Sequence, residues 1–135
     1  MDAIESTGRT VSLAIPAKPD YVVLARLALS AVCRLSPLAP EEVADLKLAI
    51  TEAATYIMGG DRRMSSRQDA GESRLTFTFD LGDDSLGLGV SGDELPTVSD
   101  EERDLSLALI RATVDSYEYA DGTMTLTKRL DYSAE

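Results

Sequence analysis

The stretch that most constrains the fold is Pro40–Gly60, which predicts one long helix with a defined start and stop. Pro40 suits a first helical position, because the N–H that proline lacks would have no partner inside the helix there. Glu41 and Glu42 place negative charge in the first turn, where the helix dipole favours it. The stretch ends in two glycines, which tolerate the left-handed backbone that terminates many helices.

Two faces of this helix differ in chemistry. An apolar stripe at helical spacing predicts packing against the core, and it comprises Val43, Leu46, Ile50, Ala53 and Ile57. Roughly the opposite side carries Asp45, Leu48, Glu52 and Tyr56. Because the apolar stripe is committed to the core, the second face is the predicted place for function.

The rest of the chain predicts short strands and two further helices. Alternating apolar and polar residues predict strands at 10–15, 74–81, 85–91, 116–119 and 123–130. Helical spacing predicts helices at about 20–35 and 99–114, the second opened by a Ser-x-x-Glu capping box. The order β-α-α-β-β-α-β-β predicts an α+β fold, a two-layer sandwich with a mostly antiparallel five-stranded sheet and three helices on one face. Residues 1–9 are predicted to form a flexible tail and residues 10–131 a single domain.

Composition excludes several classes of protein. The 135 residues include no histidine and one cysteine. Without histidine, Ser-His and Cys-His nucleophile pairs and most catalytic zinc sites are excluded, and no metal site is predicted. Cys33 lies in an apolar helical pattern, which predicts a buried, reduced thiol. The chain also lacks a long apolar run and a signal-like N-terminus, so we expect a cytoplasmic protein without a membrane span.

Charge is concentrated in one segment. The net charge is −11, and the segment Asp80–Asp104 alone carries nine acids against one arginine, a balance of −8. Such a chain is not expected to bind nucleic acid, whereas a basic protein partner suits it.

Two other features allow two interpretations each. In the helix at 20–35, Arg26, Ser30 and Arg34 form a narrow polar stripe on an otherwise apolar helix. This pattern is typical of a buried helix with one solvated edge, and the alternative is a contact ridge for a partner. The loop at 61–73 contains three arginines that could hold phosphate, although a solvated loop is the favoured interpretation.

The helical run LKLAITEAAT resembles the N-box of the GHKL ATPase superfamily, and more narrowly the anti-sigma serine kinases of the RsbW and SpoIIAB type. In that family the helix has roughly the sequence Leu-Ala-x-x-Glu-Ala-x-x-Asn, in which the Glu is the general base and the Asn holds Mg²⁺ on ATP. Glu52 matches the Glu, and Tyr56 occupies the Asn position. Residues 107–119 and 121–130 also resemble family segments, so the likeness covers about residues 10–130 and implies the histidine-kinase-like fold.

The nucleotide motifs of that family are altered here. The Asp that binds adenine in the family corresponds to Val90, and the glycines that cradle phosphate correspond to Asp104 and Ser106. Besides Glu52, the ATP-site positions that the resemblance implies are Tyr56, Gly92, Asp93, Ser106, Gly122 and Thr123.

Physical chemistry disfavours ATP at such a site. Neutral phenols are poor ligands for Mg²⁺, and carboxylates would crowd the phosphates. At an effective dielectric of about 20, each like-charge pair at about 5 Å costs roughly 3 kcal/mol. We therefore expect weak or lost ATP binding and no cofactor, with ATP and Mg²⁺ needed only if the nucleotide site is functional.

The resemblance implies a bacterial transcription regulator of the stress response, and the favoured function is an anti-sigma-like protein that binds and sequesters a sigma factor. One alternative is an active ATP-dependent serine kinase, with Glu52 as base, that phosphorylates a STAS-domain anti-anti-sigma factor. Another is a kinase-like scaffold domain with a different protein partner. The resemblance also implies a homodimer that a STAS-type antagonist counteracts. The predicted partner-binding residues are Arg26, Arg34, Asp100, Glu101, Glu102 and Asp104.

Overall fold

The helices pack on a six-stranded sheet, in which five strands have the alternating apolar side chains that the sequence shows. The computed structural model describes residues 4–7, 10–59, 73–92 and 99–130. The strands are β1 (Ile4–Thr7), β2 (Thr10–Pro16), β3 (Arg74–Leu81), β4 (Ser85–Gly92), β5 (Ser116–Ala120) and β6 (Thr123–Arg129). Their order across the sheet is β1-β2-β3-β4-β6-β5, and all neighbours are antiparallel. One buried cross-strand row consists of Leu13, Phe77, Val90 and Met124.

Three helices cover the apolar face of this sheet: α1 (Val22–Cys33), α2 (Pro40–Ile57) and α3 (Asp100–Thr113). Helix α2 lies in the middle of the helical layer and contacts α1, α3, β4 and β6. Its apolar stripe is fully buried at Leu46, Ile50 and Ala53, as its spacing predicts. The α+β two-layer sandwich predicted from the sequence is therefore confirmed.

Local signals fix the ends of the helices. Helix α2 begins at Pro40, and the Glu42 carboxylate accepts a hydrogen bond of 2.8 Å from the Ala39 N–H. Gly59, which follows its last turn, has the left-handed φ of 92° that favours glycine. At the start of α3 the Ser99 hydroxyl accepts from the Glu102 N–H at 3.1 Å, and the Glu102 carboxylate accepts from the Ser99 N–H at 3.3 Å. The predicted capping box is thus present.

The prediction of a flexible tail over residues 1–9 is wrong for residues 4–7. These residues form β1 and pair with β2, with Ile4 opposite Leu13 and Thr7 opposite Thr10. Four residues of mixed chemistry show no alternation from which a strand could be recognised. Pairing instead satisfies backbone groups along an otherwise open edge of β2, so the sheet has six strands rather than five.

Two further predictions hold. The turn between β5 and β6 is made by Asp121 and Gly122, both with positive φ (54° and 79°), as a tight hairpin turn requires. Cys33 is buried, and burial raises the pKa of its thiol, while the nearby Lys47 charge acts in the opposite direction.

Within the described ranges, no helix has both the length and the apolar character needed to cross a membrane.

Small and polar residues form the other face of the sheet. One cross-strand row on this face consists of Ser12, Thr78, Gly89, Thr125 and Glu118. A Cβ added at Gly89 would overlap the Thr78 hydroxyl, whereas a Cβ added at Gly87 would meet Asp80 Cβ at an ordinary 3.8 Å. The two glycines of β4 therefore differ in their tolerance of a side chain.

We predict that Gly89→Ala destabilises the protein by about 1–3 kcal/mol, because the Thr78 side chain must leave its position. Gly87→Ala is the matched control and should be neutral or slightly stabilising. Urea unfolding of both variants measures the difference. In a Thr78→Ala background the cost of Gly89→Ala should largely disappear, and an undiminished cost there would contradict the steric explanation.

Candidate functional site

Glu52 and Ser106 connect the two helices that the sequence assigns to the candidate site. The Ser106 hydroxyl donates a hydrogen bond to Glu52 Oε1 at 3.2 Å, and both residues are half-buried. They lie 54 positions apart in the chain, so the packing of α3 on α2 brings them together. The predicted catalytic base and one predicted phosphate-cradle position are thus neighbours. Each provides a hydrogen-bond partner for the other.

Tyr56 lies one turn further along the same face of α2 and packs into the protein. Its side chain is buried, with 8% of the residue exposed, and its ring meets the Tyr119 ring edge to face. The ring centroids are 5.4 Å apart and the ring planes are 86° apart, a geometry worth about 0.5–1.5 kcal/mol beyond the buried area. The second face of α2 is therefore split, since Asp45 and Leu48 are exposed while Tyr56 belongs to the core.

The Tyr119 side chain is half-buried beside Tyr56. Burial raises the pKa of the Tyr119 phenol, and the neighbouring Tyr56 and Asp121 raise it further. A phenol that stays neutral offers Mg²⁺ a weak ligand, in contrast to the amide oxygen of an asparagine. The residues in the Tyr56 region accordingly fit aromatic packing, and their chemistry does not suit a Mg²⁺–triphosphate.

Three other predicted positions meet at one end of β4 and β6. The Gly92 N–H donates to the Gly122 carbonyl at 3.4 Å, and Thr123 lies opposite Ser91 in the same register. Ala120, which ends β5, pairs with Thr123, so this end of the sheet also carries Tyr119. Gly92, Gly122 and Thr123 are thus brought together beside the aromatic pair, whereas Asp93 lies outside the described residues.

The acidic residues at the start of α3 divide into two roles. Asp100, Glu101 and Asp104 are exposed, whereas Glu102 is half-buried and caps the helix. Asp100 pairs with Arg103 at 3.4 Å across one helical turn, an exposed contact that contributes little to stability. The three exposed carboxylates define an acidic surface on α3, and Glu102 serves the helix itself.

The two arginines of the predicted polar stripe have different surroundings. The half-buried Arg26 guanidinium donates to Thr51 Oγ1 at 3.3 Å, which ties α1 to α2, while Arg34 is exposed. The interpretation of α1 as a buried helix with one solvated edge is wrong. A second apolar side faces solvent, with exposed fractions of 42% for Val23, 43% for Leu24 and 62% for Leu27, and Leu35, just beyond the helix, is 72% exposed. The sequence did not show this, because a helix that is apolar nearly all round does not indicate which side the core covers.

The arginine-bearing loop at 61–73 lies outside the described residues, apart from Ser73. The sites that the structure does describe are therefore the Glu52–Ser106 pair, the Tyr56–Tyr119 pair, the acidic surface of α3 and the outer side of α1. Neither of the first two pairs contains a cationic side chain, and at the acidic surface of α3 Arg103 pairs with Asp100.

Comparison with protein families gives one extensive match. Residues 15–129 match the model of the histidine kinase-like ATPase domain. The match includes α1, α2 and α3 and all strands except β1 and the first residues of β2.

Comparison with individual proteins gives relatives that include serine-protein kinases named RsbW. The serine-protein kinase RsbW of Bacillus cereus (strain ATCC 10987 / NRS 248) is 33% identical over 81 residues, which are 60% of this chain and 47% of that protein. RsbW of Listeria monocytogenes serotype 4a (strain HCC23) is 35% identical over 81 residues, or 60% of this chain and 48% of that protein. The aligned part thus spans about half the length of these relatives.

We predict that Tyr56→Ala lowers the free energy of unfolding by about 3–5 kcal/mol, because it removes a buried ring and leaves Tyr119 unpartnered. Tyr56→Phe keeps the ring contact and should change stability by less than about 1 kcal/mol. Thermal and urea unfolding measure both. Tyr21→Ala, at a tyrosine that is 41% exposed, is the control for loss of an aromatic side chain as such. A large loss of stability in Tyr56→Phe would show that the contacts of the Tyr56 hydroxyl, rather than those of its ring, stabilise the site.

Proposed function

The chain belongs to the histidine kinase-like ATPase domain family, and on that basis we propose that it acts as an anti-sigma-type regulator that sequesters a sigma factor, with weak or lost ATP binding. The single observation that carries the proposal is the contact between the buried Tyr56 and the half-buried Tyr119. It fills, with a neutral aromatic group, the position at which family resemblance requires a ligand for Mg²⁺. A protein of this fold without that ligand retains its surfaces for binding other proteins.

Electrostatics near α3 support the same conclusion. ATP brings about four negative charges and needs a metal ion or cations to offset them. Asp104 and Ser106 stand where family members have phosphate-cradling glycines, and Asp104 is an exposed anion. A carboxylate at that place repels phosphate, so the helix terminus that would attract a nucleotide repels it instead.

The same carboxylates suit a basic protein. Asp100, Glu101 and Asp104 project from one end of α3 into solvent. Sigma factors bind DNA through basic surfaces, so an acidic surface of this kind steers encounter and competes with DNA. In this proposal the protein works in the cytoplasm, forms a homodimer and is released by a STAS-type antagonist.

One observation favours a second candidate function, that of an active serine kinase acting on the antagonist. Glu52 is retained at the position of the family's general base, and the relatives are named serine-protein kinases. This function requires a bound, metal-held phosphate near Glu52. Nucleotide binding therefore separates the two candidates.

We predict that isothermal titration with Mg-ATP gives no saturable binding at concentrations up to about 1 mM, because the metal ligand is absent and carboxylates replace the phosphate cradle. The Listeria monocytogenes RsbW protein, titrated in the same buffer, serves as the reference. Micromolar affinity in this chain would support the kinase function and overturn the loss of ATP binding.

We predict that one of the purified sigma factors of the source organism binds the chain at about 50 mM salt, and that neutralising the acidic surface of α3 slows association about tenfold. The variant combines Asp100→Asn, Glu101→Gln and Asp104→Asn. Stopped-flow fluorescence or surface plasmon resonance measures the association rate.

The matched control removes the same three charges at exposed positions elsewhere, through Asp20→Asn, Asp45→Asn and Glu118→Gln. An equal effect of both triple variants would assign the steering to net charge rather than to α3. Absence of binding to every sigma factor in the panel would leave the scaffold function with another partner as the surviving explanation.

A further inference from the structure

Strand β5 is the last strand of the sheet, and its backbone is paired on one side. It pairs with β6 alone, from Ser116 opposite Thr127 to Ala120 opposite Thr123. Within the ranges that the structure describes, no other strand pairs with β5. The side that faces away from β6, which we call the outer edge of β5, therefore presents backbone N–H and C=O groups to which a further strand can be added.

The sequence of β5 lacks the features that commonly block pairing at a sheet edge. The strand SYEYA contains no proline, lysine or glycine, and it pairs with β6 in continuous register without a bulge. Its two tyrosines suit an extended backbone. At the rise of about 3.3 Å per residue, an extended segment of about five residues matches its length.

Side-chain contacts on the helical side hold β5 in position. The Tyr119 ring meets the Tyr56 ring of α2 at 5.4 Å between centroids. The Tyr117 hydroxyl accepts a hydrogen bond of 3.1 Å from Arg111 of α3, whose guanidinium lies 5.8 Å from the centroid of the Tyr117 ring. Because the strand contacts both helices, its edge is ordered before a partner arrives, which lowers the entropic cost of binding.

The other side of β5 is exposed and acidic. Its exposed side chains are those of Ser116, Glu118 and Ala120, with Glu118 in the middle of the strand. Asp115 and Asp121, which flank the strand, are also exposed. Among the described residues, no lysine or arginine forms an ion pair with Glu118. A basic side chain directly opposite Glu118 on an added strand would be stabilised by this charge.

A second copy of the chain complements this edge poorly. Two β5 strands paired antiparallel about their centres would bring Glu118 opposite Glu118 of the other copy, and like charges in that position are destabilising. Such pairing would also join two molecules that each carry a net charge of −11. An extended basic segment meets neither cost.

We infer that the outer edge of β5 binds an extended, basic segment of a protein partner by adding it to the sheet as a further strand. Lysine or arginine of the segment lies on the side of Glu118, and apolar residues lie on the side of Tyr117 and Tyr119. This inference goes beyond the proposed function, because the partner engages backbone groups of the sheet rather than the carboxylates of α3. It holds whether or not a sigma factor binds the acidic surface.

The test uses the full chain and three peptides of about nine residues that share one sequence of alternating lysine and valine. One peptide is unmodified, the second is N-methylated at the lysine amides and the third at the valine amides. Amides of alternate residues in a strand point to the same side, so one methylated isomer loses the donors that face β5 and the other keeps them.

We predict that the unmodified peptide and one methylated isomer bind at least about tenfold tighter than the other isomer. Fluorescence anisotropy at about 150 mM salt measures the affinities. The comparison is diagnostic, because all three peptides carry the same charge and non-specific attraction to a chain of charge −11 would not separate them.

Amide hydrogen exchange locates the bound peptide. Saturation with the unmodified peptide should slow exchange at the outward amides of residues 116–120 at least about tenfold, and leave residues 4–7 and 100–104 unchanged. Glu118→Lys should weaken the unmodified peptide at least about tenfold, since it places like charges opposite each other. Asp45→Lys, the same change of charge at an exposed position of α2, is the matched control and should weaken it less than about threefold.

Four results would overturn the inference. The first is absence of saturable binding of the unmodified peptide up to about 1 mM, and the second is equal affinity of the two methylated isomers. The third is equal weakening by Glu118→Lys and Asp45→Lys, or protection from exchange that lies outside β5. The fourth is a concentration-dependent dimer that the unmodified peptide dissociates, which would assign the edge to a second copy. None of them bears on the sigma-factor measurement, so the two proposals fail separately.

Discussion

The structure depends on the burial of α2 between the sheet and its two neighbouring helices. Leu46, Ile50 and Ala53 are excluded from water. Burial of the leucine and isoleucine side chains contributes about 1.5–3 kcal/mol each to the stability of the fold. Because the same helix also meets α1 through Thr51 and α3 through Glu52, its position fixes both flanking helices. Every surface that we assign to function is therefore held in place by one central helix.

The candidate site is held together by contacts within the protein. The Glu52–Ser106 hydrogen bond and the Tyr56–Tyr119 contact are both internal interactions that link α2 to its surroundings. A nucleotide site needs polar groups that await a ligand, whereas these groups already have partners within the protein. In the proposed function, internal packing takes the place of a nucleotide cleft, and the helical layer is the surface that binds other proteins.

Sequence patterns predicted the elements with strong local signals. Alternation in RLTFTFDL, the stop at Gly59 and the capping box at Ser99 each have a local physical cause, and each appears in the structure. The Tyr56–Tyr119 pair and the solvent-facing side of α1 were not predictable, because each depends on which distant elements lie nearby. The sequence of an apolar helix does not indicate which of its sides packs in the core and which is exposed. Likewise, a tyrosine at a motif position does not reveal whether it binds a ligand or packs inside the protein.

Strand β1 affects how the edge of the sheet can pair with another copy of the chain. The seven-residue β2 carries Val11, Leu13 and Ile15, and with its outer backbone groups bare it would present a long apolar template for a neighbouring chain. The four-residue β1 pairs with Thr10–Leu13, which is the first part of that edge. Along that part of β2, the first strand takes the backbone groups with which another chain could otherwise pair.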